Sequence, residues 1–479
     1  MSASPRYVSL AERYENGIRG GLIASGERLP SVRELSRREG VSVTTALAAM
    51  RLLEQRGLAV ARPQSGYYAN APARVPAPAC SRPPATPEAV AVTDLAMEMH
   101  APAAPGTIAL SAALPQAELL PLRPLARALS RAANANPAAL LGALEPGGLP
   151  ALREAIAARM IHAGCSVHPH EIVITAGAAE AVGLALGACT RPGDVVAFES
   201  PTYYGLLMMA ESRGLQAVEI DTDPRTGLSV EAFEAACRQS PPRALVVSSN
   251  VQNPTGACMP EAAKKGLLEV AARYRVSVIE DDVFGEYARQ SGQGCSSLKA
   301  LDEDGIVAYC SSFSKTVAPG LRLGWLIPGR CFRAAQAAKL ALSWGCAPVL
   351  QEALARLLRE GSFENHLRRL TRTLDHSRGQ ALAAVADAFP ADTRACTPRY
   401  GFLIWLQLPG RLDSLDFYRR ARARGVTVSP GQIFSAGGRF RDCIRLNVGY
   451  AWSDTLDDAI RRLGALAGEM LVEAGPNRD

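Results

Sequence analysis

The sequence predicts an α/β protein in two unequal parts: an N-terminal winged helix-turn-helix and a larger body on a mainly parallel sheet. Three observations predict it. Residues 27–69 read as helix, tight turn, helix and β-hairpin. Residues 71–106 are rich in Ala and Pro, as a spacer between two units is. From about Thr107, apolar runs (EIVITAG, VVAFES, QAVEID, ALVVSSN, VSVIEDD, IVAYCSSFS) alternate with helical stretches, the pattern of short strands covered on both faces. The 479 residues exceed one ordinary domain, and 48% hydrophobic residues suffice for a large core.

In the N-terminal part, Pro30 and Ser31 open a helix, with Ser31 as N-cap and Glu34 as its capping-box partner. Gly40 ends it. Ser42 caps a second helix whose Ala46, Met50 and Leu53 fall on one face. The strands LAVAR and YYA flank the turn Pro63-Gln64-Ser65-Gly66. Residues 1–75 hold 11 Arg, no Lys and 6 acidic residues, whereas the remainder is nearly neutral, with 41 basic and 40 acidic residues. A basic segment on a balanced body suits a polyanion; a solvated helix pair used for protein contacts is the alternative. The run Gly26-Glu27-Arg28-Leu29-Pro30-Ser31-Val32-Arg33-Glu34-Leu35 resembles the GntR-family DNA-binding domain, whose pattern is G-x-R-L-P-S-x-R-x-L. The resemblance implies that Arg33, Ser42, Thr44 and Thr45 lie at double-stranded DNA, with Gly66 at the wing tip. Val43 departs from the family, which often has Arg there.

The expected boundaries are 1–70 for the head, 71–106 for the spacer and 107–479 for the body. Six of residues 71–87 are proline, which favours an extended, semi-rigid tether. The body divides near residue 330, after which helices and the strands FLIWLQL, VTVSP and CIRLNVG suggest a smaller C-terminal lobe. No apolar run is long enough to span a membrane, and MSASPRYVSLAERYENG lacks the form of a signal peptide. A cytoplasmic location is the resulting expectation. No two of the eleven cysteines are closer than 15 residues, which excludes C-x-x-C motifs. Reduced thiols packed as small hydrophobes are expected, and no metal site.

The body contains only five lysines, at 264, 265, 299, 315 and 339. Lys315 stands in SSFSKTVAPGLRLGW, after a buried strand, among hydroxyls and before an arginine, groups that suit a phosphate. This segment resembles the Schiff-base segment of fold-type I aminotransferases, which bind pyridoxal 5′-phosphate (PLP). The resemblance implies PLP on Lys315, with Ser312, Ser314 and Arg322 on its phosphate. It further implies that Ala178 and Ala179, opening a helix after Thr175-Ala176-Gly177, give N–H groups to the phosphate. Tyr203, after VVAFES, would stack on the ring, and Asn253, in Asn253-Pro254-Thr255-Gly256, would bond its 3′-oxygen. Asp281 or Asp282 ends the strand VSVIED. Alternate strand residues face opposite ways, so one of them can look into the site. The family spacing D-x-x-Y assigns Asp281 to the pyridine nitrogen, giving Lys315 and Asp281 the catalytic roles. Arg445, in CIRLNVG, matches the arginine that grips a substrate or effector carboxylate.

Three departures bear on activity. Phe284 stands where a tyrosine hydroxyl is common, Ala143 where a partner subunit's tyrosine often reaches the phosphate, and Tyr400 in place of the first glycine of a Gly-Gly pair. Head and body together resemble MocR-type regulators, a GntR subfamily. The implied function is a homodimeric, PLP-dependent transcription regulator sensing an amine, an amino acid or PLP through a Schiff base at Lys315. An active aminotransferase with a DNA-binding appendage is the alternative.

Overall fold

The computed structural model describes the chain except residues 1–5, 21, 25, 56, 63–64, 70–74, 136, 138–144, 291–294 and 476–479. Ala143 and two wing-turn residues, Pro63 and Gln64, lie outside the described residues.

The head has three helices, α1 (Arg6–Gly20), α2 (Val32–Glu39) and α3 (Val43–Gln55). They close over a core that includes Leu10, Leu35, Met50, Leu53 and Leu58. Ala46, Ala49, Met50 and Leu53 of α3 are buried because their spacing sets them on one helical face. The Ser31–Glu34 capping box forms in both directions: Glu34 N–H donates to Ser31 Oγ at 3.3 Å, and Ser31 N–H to a Glu34 carboxylate oxygen at 2.9 Å. Gly40 then ends α2 at φ +60°, a conformation that favours glycine. The wing is an antiparallel pair, β1 (Ala59–Arg62) with β2 (Gly66–Ala69), in register Ala59 to Ala69.

The body is organised by a nine-stranded sheet. Its centre is parallel and runs Gln216–Asp223, Val195–Ser200, Ala244–Val247, Ser277–Asp281, Val307–Ser312. Gly324–Ile327 adds antiparallel to the last of these, and Val173–Thr175 follows it. Every residue of Ala244–Val247 and Val307–Ser312 is buried, as two-sided cover requires. Because the central strands are parallel, Ser200, Asp281 and Ser312 emerge at the same carboxyl edge, where open α/β sheets bind ligands.

The C-terminal lobe has a four-stranded sheet, Arg394–Ala395, Leu403–Gln407, Cys443–Asn447 and Ser429–Pro430. The helices Ser362–Ala388, Ser414–Ala423 and Asp454–Ala474 contribute to its core. No helix among the described residues is long and apolar enough to cross a membrane.

The spacer expected over 71–106 is shorter than its composition suggested. Ser81 Oγ accepts a bond from the Thr222 N–H at 3.0 Å, Glu88–Ala89 pairs with Gln216 and Ala217, and Thr93–His100 is a helix. The Val92 and Thr93 N–H groups at its start both donate to Glu211 at 3.0 Å. Proline content marked residues that avoid helix, but not residues that dock on a sheet edge.

Candidate functional site

Lys315 follows the end of Val307–Ser312, in the turn that precedes Pro319–Leu321. Its ammonium donates to the Ala113 carbonyl at 2.7 Å and lies 5.5 Å from the centre of the Phe284 ring. Removal from water and, next, the charge of Arg445 push this lysine down to about 8, while Asp281 pulls the other way.

Asp281 is buried, and its Oδ1 has no hydrogen-bond partner among the described residues. Burial and then the neighbouring Asp282 push its carboxyl up to about 7. Asp282 points the other way and is fully engaged: Arg289 lies at 2.8 Å and the Tyr309 hydroxyl donates at 2.7 Å. Strand alternation separates the two carboxylates, leaving Asp281 open towards Lys315.

The turn that would form a phosphate cup lies beside them. Gly177, at φ +85°, turns the chain into the helix Ala178–Cys189. Ala178 and Ala179 begin its first turn, where a helix supplies no acceptor for its own N–H groups. Arg322 crosses the cup, its Nη2 donating to the Ala176 carbonyl at 3.1 Å. A Cβ on Gly177 would stand 2.9 Å from that guanidinium, and one on Gly324 would stand 2.7 Å from the Gly177 carbonyl carbon. Both glycines therefore permit the close approach of strand, turn and arginine. Ser312 and Ser314 are buried nearby, the Ser314 N–H donating to Ser312 Oγ at 3.4 Å.

Arg445 is wholly buried. Its Nη1 donates to Asn253 Oδ1 at 3.0 Å, and its Nη2 to Ser429 Oγ at 3.1 Å and to the Ser111 carbonyl. Nε has no partner among the described residues, and the guanidinium lies 5.1 Å from the centre of the Phe434 ring. Burial lowers its proton affinity. A buried guanidinium whose hydrogen bonds go to neutral oxygens is suited to an incoming carboxylate. Tyr203, half-buried, packs against Tyr204 at 4.8 Å between ring centres, and burial raises its hydroxyl.

Lys315 thus has Arg445, Asp281 and Arg322 as charged neighbours, Arg445 bonds Asn253, and Tyr203 lies near Arg445 and Asp281, so these sequence-predicted residues gather at one site, and they fit PLP. The unpartnered Asp281 Oδ1 suits a protonated pyridine nitrogen, and the cup that a Cβ would obstruct suits a phosphate. Sequence reasoning missed Ser111 and Ala113, whose backbone carbonyls hold the two cations of the cleft. Carbonyls leave no residue-type signal. Phe284 packs between Tyr287 and Phe402, and Tyr287 gives its hydroxyl to the Lys315 carbonyl at 2.5 Å. Tyr400 is buried next to Gly401, which keeps the positive φ of +76°.

On the head, Arg33, Ser42, Thr44 and Gly66 are exposed and Thr45 is half-buried. Ser42 Oγ caps α3 by accepting from the Thr45 N–H at 3.1 Å, and lies 2.8 Å from each of the Thr44 and Thr45 hydroxyls. Arg62 stacks on Tyr68 in the wing at 4.3 Å. α3 also faces the body: Thr44, Ala48 and Arg51 line a cavity with Gln290, Arg368 and Arg372.

Residues 113–463 match the family aminotransferase class I and II, and residues 6–68 match the bacterial regulatory proteins of the gntR family. The chain is 38% identical to an uncharacterized HTH-type transcriptional regulator, YjiR, of Escherichia coli (strain K12), over 96% of this chain and 98% of that protein. It is 35% identical to a second such regulator of the same strain, YdcR, over 97% and 100%. Among solved structures it resembles LysN, alpha-aminoadipate aminotransferase from Thermus thermophilus, complexed with N-(5′-phosphopyridoxyl)-L-leucine. The TM-score is 0.72 at 27% identity, covering 79% of this chain and 97% of LysN.

Proposed function

Since this chain belongs to the aminotransferase class I and II family and carries a gntR-family head in the MocR-type order, we propose that it is a PLP-dependent transcription regulator. It binds double-stranded DNA through the head and responds to an amine or amino acid at Lys315. The observation that carries this reading is a gathering of the groups PLP needs around Lys315, in a body on which the helix-turn-helix packs.

When bound, PLP supplies an aldehyde that condenses with primary amines and a ring that accepts electrons. Lys315 would hold the aldehyde end, and Asp281 would keep a proton on the ring nitrogen. Arg322, Ser312, Ser314 and the N–H groups of Ala178 and Ala179 would hold the phosphate, and Tyr203 and Asn253 would fix the ring's face and its 3′-oxygen. Arg445 takes the effector's carboxylate, exchanging neutral oxygens for an anion. Lys315 and Arg445 grip the Ala113 and Ser111 carbonyls, so an effector that redirects either cation alters the hold on that segment.

A contiguous set of contacts supports coupling to the head. Asp282, beside Asp281, pairs with Arg289; the Gln290 amide donates to Glu364 at 3.2 Å; and Glu364 starts the helix whose Arg368 and Arg372 face α3. Reading DNA with Thr44 and Thr45 asks α3 to leave that cavity. An effector that binds one of the two arrangements more tightly shifts their populations. In a homodimer formed by the bodies, two heads would read two half-sites, the second at raised effective concentration.

The test combines footprinting, salt-dependent DNA binding and absorbance spectra of full-length protein titrated with amino acids. Arg33→Ala should weaken binding to all sequences, and Thr44→Ala or Thr45→Ala should relax discrimination between them. Removing residues 1–75 should abolish DNA binding and leave the PLP spectrum. Sequence-specific binding without the head, or DNA affinity indifferent to every amine that alters the spectrum, refutes the reading.

A further inference from the structure

The eleven cysteines read in sequence as isolated small hydrophobes, but the fold brings two of them together. Cys189 and Cys331 stand 142 residues apart, with their Sγ atoms 3.2 Å from each other. Neither is fully buried. Cys189 is the last residue of the phosphate-cup helix Ala178–Cys189. Cys331 is the N-cap of the next helix against it, Phe332–Leu342. The two helices lie antiparallel and are already tied at their other ends. There Lys339 Nζ bonds Glu180 at 2.7 Å and Ser343 Oγ bonds it at 2.6 Å, while Glu180 accepts the Ala176 N–H at 2.5 Å. One end of the pair thus has an ionic clamp reaching the cup, and the other has two facing thiols.

We propose that Cys189 and Cys331 form a reversible disulfide in the presence of a hydroperoxide, closing a second clamp on the phosphate-cup helix. The thiols need to approach by only about 1 Å to reach the bonded distance of about 2.05 Å. Charge favours Cys331 as the attacking sulfur. The adjacent Arg330 and the positive end of the helix that Cys331 caps both favour its thiolate. Burial pushes Cys189 up, so it keeps its proton in the resting pair. In the first step the Cys331 thiolate attacks a peroxide oxygen. An S–O bond forms, the O–O bond breaks, and the departing hydroxide takes up a proton to become water. Cys331 is then a sulfenic acid. In the second step Cys189 sulfur attacks that sulfur. The S–S bond forms, the S–O bond breaks, and the Cys189 proton leaves with the hydroxyl as a second water. Two thiols have been oxidised and one hydrogen peroxide reduced.

The experiment treats reduced full-length protein with equimolar hydrogen peroxide and then alkylates and maps peptides without reductant. The expected result is a cross-linked peptide joining Cys189 to Cys331, with loss of two of the eleven thiols and recovery of both by dithiothreitol. Cys189→Ser should leave Cys331 as a sulfenic acid captured by dimedone, and Cys331→Ser should show neither product. Circular dichroism of each variant checks that it is folded; the wild-type peptide map decides the question if one is not. Amide hydrogen exchange within 178–189 should slow at least threefold on oxidation and return on reduction. Oxidation spread over other cysteines, a cross-link between two chains, a Cys331 sulfinic acid without the cross-link, or unchanged exchange each overturns the proposal.

Discussion

Replacing Asp281 by Asn should make the PLP-free protein more stable and the PLP-bound protein less so. Asp281 is 7% exposed and its Oδ1 has no partner, so its anion is held away from water with little compensation. Its folded-state value is pushed from 3.8 to about 7. Between those values the folded chain binds a proton that the unfolded chain has released, so stability falls as pH rises through this window. Above about 7 the cost is complete, about 4 kcal/mol. The Asn amide carries no charge but leaves a polar group unmatched, at about 1–3 kcal/mol. The net gain for the PLP-free protein at pH 8 is about 1–3 kcal/mol, or about 1–4 °C in Tm. At pH 5 wild-type Asp281 is largely protonated and most of the gain disappears. With PLP the sign reverses: the lost hydrogen bond to a charged partner, about 1.5–3 kcal/mol, adds to the gain of the PLP-free form, so affinity should fall by about 2.5–6 kcal/mol, roughly 100–10,000-fold. Thermal melts of PLP-free protein at pH 5 and 8, with a fluorescence titration of PLP, measure both arms. A PLP-free variant less stable than wild type at pH 8, or one that binds PLP equally well, refutes the assignment of Asp281.

Gly177→Ala places a side chain at φ +85° and within 2.9 Å of the Arg322 guanidinium. Backbone strain of about 1–3 kcal/mol and a displaced arginine should weaken PLP binding at least about tenfold in a titration, and unchanged affinity would count against the cup. With Lys315 near 8, about a quarter of its amine is neutral at pH 7.5, against about 0.1% for an ordinary lysine. The rate at which PLP-free protein captures PLP, followed by absorbance, should therefore climb up to about pH 8 and then level off; a climb continuing past pH 10 removes the lowered lysine. Transamination should be slow, and Phe284→Tyr, which offers a hydroxyl near the cleft, should raise single-turnover rates with an amino donor. Fast wild-type multiple turnover would overturn that expectation.

Features set by local spacing were legible in the sequence. The Ser31–Glu34 box, the buried face of α3 and the fully apolar strands each arise between residues a few positions apart, where helix and strand periods apply directly. The contrast between Asp281 and Asp282 followed from the two-residue period of a strand. Other features depended on which distant segments meet. The antiparallel strand Gly324–Ile327 at the sheet's side, and the docking of residues 81–100 on the body, left no trace in composition. The carbonyls of Ser111 and Ala113 reach Arg445 and Lys315 across more than 200 residues, and every residue type carries a carbonyl. Cys189 and Cys331 face each other because two helices pack antiparallel, a relation no linear spacing encodes. The sequence by itself determined which chemical groups the chain owns and which local elements carry them. Only the tertiary structure decided which of those groups meet, because burial and charge act through distance in space rather than along the chain.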